Sequence, residues 1–95
     1  MNDDLTSHRK RAQALMQFIL ADDVLRTIRG GPDGILYTLK YGVAWYCKEN
    51  GIEPFSISDD EKLGALSIEQ CEIFDKVCLH TFGHLWCEFR DQSAA

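Results

Sequence analysis

Paired cysteines, proline, long apolar runs and, in the second half, positive charge are all scarce in this 95-residue sequence. The four cysteines, Cys47, Cys71, Cys78 and Cys87, include no Cys-x-x-Cys pair. The opening MNDDLTSHRKRAQ is polar and acidic, with no apolar stretch leading to a small-residue cleavage site. Together these features predict reduced thiols in a cytoplasmic chain rather than an exported disulfide framework. No apolar run approaches the ~20 residues that cross a bilayer, so no membrane role is expected. Gly31 and Gly34 do not have the spacing of a P-loop or dinucleotide fingerprint, which removes nucleotide cradling from the expectations.

What is present suits one folded domain over residues 1–95. The composition, 45% hydrophobic and 26% charged, is that of an ordinary globular chain. A chain this short buries roughly 60–65% of its unfolded surface, enough for a core but hardly for an enclosed substrate cavity too, so no enzymatic activity is expected. Charge is unevenly placed. Residues 1–47 hold six basic and five acidic side chains, while 48–95 hold four and ten, so a net +1 faces a net −6. That asymmetry disfavours phosphate backbones and favours a partner protein with a basic surface.

Periodicity predicts an all-α bundle of four to five helices with a long C-terminal helix. From Leu5, the residues Ala12, Leu15, Met16 and Ile19 recur at helical spacing in a helix beginning near Asp4 or Thr6. Continued straight, it would turn Asp23 and Arg26 into its own apolar stripe. A break at ADD is therefore expected, with Asp22 or Asp23 capping a short helix VLRTIR that GGPDG ends. Residues 35–47 mix strand-favouring Tyr, Thr, Val and Trp with a helical repeat of Leu36, Leu39 and Val43. The helical stop Asn50-Gly51-Ile52 decides for helix over hairpin. Ser58 with Glu61 reads as a capping box for a short helix DDEKLGAL. Ser67 with Gln70 reads as a second box, opening a helix over roughly 68–90.

On that last helix, Cys71, Phe74, Cys78, Phe82, Leu85 and Phe89 share one core-facing arc. His80, His84, Cys87 and Asp91 lie opposite, along with Ile73. The His-x3-His-x2-Cys stripe invites a zinc site, with no fourth ligand evident; no other cofactor is expected. A Cys87–His84 nucleophile lacks an orienting residue and an oxyanion loop. Leu79 and Trp86 flank the arc beside Glu72, Asp75 and Arg90, a composition typical of protein-binding surfaces, unless a neighbouring helix covers Trp86. Gly83 sits on the exposed side, where it weakens the helix or admits another backbone. The basic cluster His8-Arg9-Lys10-Arg11, with Arg26 and Arg29, is too small to suggest nucleic acid and is expected to pair with acids of the C-terminal half.

The functional expectation is a small acidic, non-catalytic inhibitor or adaptor, of the kind mobile elements or phage use to occupy a basic, nucleic-acid-binding surface. Its contacts would be Asp59, Asp60, Glu61, Glu69, Glu72 and Asp75, with Leu79 and Trp86 as apolar anchors. The alternative is a metal-binding or metal-responsive protein using His80, His84 and Cys87. Pairing of the last helix with a second copy is compatible with either.

Overall fold

Where each helix stops determines this architecture. In a computed structural model describing residues 3–94 (the side chains of 3, 60 and 92–94 excepted), α1 spans Asp3–Leu20 and buries Ala12, Leu15, Met16 and Ile19. It ends before its stripe would turn polar. Asp22, in extended conformation, accepts the Leu25 N–H at 2.8 Å and caps α2, Asp23–Arg29, whose buried residue is Leu25. Arg26 and Arg29 occupy the last turn of α2, where the helix dipole favours cations and a structural role accounts for them.

The GGPDG corner works through close approach as well as turning. Gly30 takes the left-handed conformation, Pro32 opens α3 (Pro32–Glu49), and a Cβ on Gly34 would collide with the Arg29 carbonyl. At the far end of α3, Ile52 N–H donates to the Cys47 carbonyl at 2.8 Å and Gly51 sits at φ 64°, the expected Schellman stop. Residues 35–47 are thus helical. Among the described residues no strand forms.

The connection through Phe55 and buried Ile57 leads to α4, a single turn at Asp60–Leu63. The expected Ser58–Glu61 box is not what caps it. Asp59 accepts the Lys62 N–H at 2.9 Å, while the Ser58 hydroxyl lies 3.2 Å from that of Ser56. The cap falls one residue later because Asp59 is itself a strong capping residue and Leu63 must point inward. The Ser67–Gln70 box is present in both directions, at 3.1 and 2.9 Å, and opens α5, Ile68–Thr81.

The single long C-terminal helix is corrected to two. Phe82, at φ −130° and ψ 49°, ends α5, and α6 runs Gly83–Ala94, giving six helices among the described residues. Phe82 N–H still donates to Cys78 O (2.8 Å) and its carbonyl accepts Trp86 N–H (2.9 Å), so the break is a kink with backbone bonds on both sides of Phe82. Gly83 meets nothing within 4 Å of where its Cβ would lie, so it admits no other backbone. Its contribution is the helix weakness, about 1 kcal/mol relative to alanine, that lets the chain bend here. The bend lays α6 along α1, with Phe18 and Phe89 edge to face at 5.6 Å.

Helix α5 is central and packs against α1, α3 and α6. It is therefore buried on more than the single expected arc. The six residues of that arc are all buried, but so are Ile73 and Val77, and Ile73 does not share the solvent side with His80. One core cluster draws on all six helices. The α3–α5 contact is close: a Cβ on Gly42 would come within 2.8 Å of Val77 Cγ1.

Gly42→Ala is accordingly expected to lower stability by about 1–3 kcal/mol in urea unfolding. Combined with Val77→Ala, it should cost clearly less than the sum of the two single changes, since the second removes the atom in the way. Strict additivity would mean that the helices separate freely at this point.

Candidate functional site

Helix α3 carries two stripes of the same period. Ile35, Leu39, Val43 and Cys47 recur every four residues and are buried. Tyr37, Tyr41 and Trp45 repeat at that spacing two residues later, roughly 200° around the helix. They therefore face away from the core, at 72%, 67% and 52% exposure. Isolated surface apolars are ordinary, but three aligned aromatics are not scattered. Tyrosine and tryptophan are also the side chains most enriched among energetically dominant contacts in protein interfaces.

Beside this stripe runs a groove of about 290 Å³ between α3 and α5, lined by Gly42, Trp45, Tyr46, Lys76, Val77, His80 and Thr81. Thr38 and Tyr41 extend it along α3. The groove exists because Gly42 adds no side chain between the two helices. By contrast, the crevice beside Arg11, Cys71 and Asp75 holds only about 70 Å³. Burial pushes the Cys71 thiol up from its ordinary value, with Arg9 opposing.

Of the partner-binding residues expected from sequence, Asp75 and Trp86 meet each other. Asp75 is engaged within the chain: its carboxylate accepts the Trp86 indole N–H at 2.8 Å and lies 3.6 Å from the Arg11 guanidinium. In a straight helix residues 75 and 86 would be about 16 Å apart along the axis, so this bond requires the Phe82 bend. Trp86 is half-buried, with Arg11 and Arg90 5.7 and 5.4 Å from its ring centroid. These contacts contribute about 0.5–1.5 kcal/mol each, which makes Trp86 a structural latch rather than a free anchor.

Within the basic cluster, Arg11 meets an acid of the C-terminal half, Asp75, while Arg9 Nε donates to the Leu66 carbonyl at 2.7 Å and Lys10 is exposed. Asp59 caps α4. Glu61, Glu69 and Glu72 stay exposed, as does Leu79 at 44%. The Asp60 side chain lies outside the described residues.

His80, His84 and Cys87 are all exposed, but the Phe82 bend separates His80 on α5 from the other two on α6. Among the described residues no three His, Cys, Asp or Glu side chains are grouped so as to hold one metal ion. His80 lines the aromatic groove instead. No helix among the described residues is long and apolar enough to cross a membrane. No protein-family model matches the chain, and neither does any curated protein or solved structure.

The Tyr37–Tyr41–Trp45 stripe was not among the residues singled out from sequence, although the sequence carried its signal. Its four-residue spacing, offset by two from the core stripe, was obscured because Tyr and Trp also favour strands.

Thiol chemistry distinguishes the cysteines. Cys47, Cys71 and Cys78 are buried and burial raises all three thiol pKa values, whereas Cys87 is exposed. The native chain is expected to react with Ellman's reagent at one thiol promptly and at the other three only on unfolding. Cys87→Ser should remove the prompt phase, and prompt reaction of further thiols would contradict this packing.

Proposed function

We propose that this chain is a non-catalytic protein-binding module, an inhibitor or adaptor, and that the aromatic face of α3 is its principal contact. The observation supporting this most is the alignment of Tyr37, Tyr41 and Trp45 on one exposed face, at 72%, 67% and 52% exposure, beside an open groove. Burying an aromatic of this size removes on the order of 150–250 Å² from water. Three such residues supply the apolar centre that a specific interface needs.

The acids make a second, weaker contact in this reading. Asp59 and Asp75 serve the fold, but Glu61, Glu69 and Glu72 remain exposed and form no ion pair among the described residues. They would steer the chain toward basic groups on a partner more than hold it there.

A photoreactive residue placed at Tyr37 or Tyr41, with exposed Lys10 and Glu88 as control positions, tests the contact in cells that make the chain. A discrete protein adduct is expected from the α3 positions and not from the controls. Adducts arising only from Glu61, Glu69 or Glu72 would move the contact to the acidic face. Their absence from every position would contradict the reading.

A further inference from the structure

We infer that the α3–α5 groove receives an acidic amphipathic segment of another protein, a partner chemistry that rests on the protein-binding reading above. The charge around the aromatic stripe carries the inference. Lys40 and Lys48 are exposed and lie three residues beyond Tyr37 and Trp45, the spacing that makes side chains surface neighbours on a helix. Across the groove the α5 wall presents Lys76 and His80. The acids of α3, Asp33 and Glu49, lie four residues from Tyr37 and Trp45, one at each end of the stripe, and neither is among the residues lining the groove. A chain of net charge −5 thus edges its most aromatic surface with lysine on both banks.

Shape agrees with charge. From Tyr37 to Trp45 the stripe runs about 12 Å, two turns of helix, so it matches a segment presenting apolar side chains at i and i+4. One of these enters above Gly42 and Val77, while flanking Asp or Glu side chains meet the lysines. A second copy pairing in parallel about a two-fold axis would set Lys40 and Lys48 of each copy against their equivalents, whereas antiparallel pairing would bring Lys48 near Asp33 of the other copy and is the dimer outcome of the test. Nucleic acid fits less well. Three lysines neutralise few phosphates, and the remaining surface is acidic.

The test is selection of a displayed random-peptide library on the full-length chain, followed by fluorescence polarisation with a synthetic peptide of the enriched consensus. Enrichment of Asp- and Glu-rich peptides with apolar residues at i and i+4 is expected. Their binding should be lost in Tyr41→Ala/Trp45→Ala and weakened about tenfold or more in Lys40→Glu/Lys48→Glu/Lys76→Glu. The corresponding glutamine variant should show a smaller loss, and circular dichroism should show every variant folded, since all five positions lie at the surface. Stripe-dependent peptides without acids, or insensitive to the lysines, would overturn the acidic partner while leaving the binding module intact. A stripe-dependent dimer in sedimentation, or stripe-dependent binding of oligothymidylate, would overturn it in favour of those occupants. If nothing selected depends on Tyr41 and Trp45, the inference falls; if the Tyr37 and Tyr41 crosslinks also fail, the module reading falls with it.

Discussion

The crossing of α3 on α5 at Gly42 is the constraint on which most of the structure depends. Because no side chain stands between the α3 backbone and Val77, the two helices come close enough to bury Ile73, Phe74 and Val77 together with Leu39 and Val43. Native packing leaves no slack for an added methyl group at such a point. Once α3 is held by this edge and by its Ile35–Cys47 stripe, its opposite face has nowhere to go but solvent. The exposure of the aromatic stripe therefore follows from the core rather than from any local feature of the tyrosines.

A second cluster fixes the other side of the bundle. Asp75 receives both the Trp86 indole and the Arg11 guanidinium, and Arg11 also lies 5.3 Å from the Phe89 ring centroid. This joins α1, α5 and α6 in one contact and gives the Phe82 bend its partner. Trp86 and Asp75, which have the composition of an interface, thus contact each other within the chain.

The features legible in the sequence were those written locally. The Asp22 cap, the Gly51–Ile52 stop and the Ser67–Gln70 box each depend on residues within a few positions, and each is in place. The bend at Phe82 was not legible, because its cause lies in α1, where Phe18 and Arg11 receive the displaced α6. The periodicity of α5 alone places Ile73 on the solvent side, as if one arc faced one core, whereas α5 is covered by α1, α3 and α6 and Ile73 is buried. The site was legible in part. The exposure of His80 follows from its place on the helix, but the residues that line the groove with it, Trp45 and Gly42, come from α3 and no spacing along its own helix indicates them.

What unites fold and proposed function is a division of roles among similar residues: Trp86 is spent on the fold and Trp45 is left outside it. Acrylamide quenching of Trp45 emission in a Trp86→Phe chain, followed through a dilution series, tests that division most directly. Red-shifted, readily quenched emission at every concentration is the expected result. Shielded emission at all concentrations would show that the chain covers its own α3 face, and shielding relieved by dilution would show that a second copy does; either would contradict an aromatic face held open for a different partner.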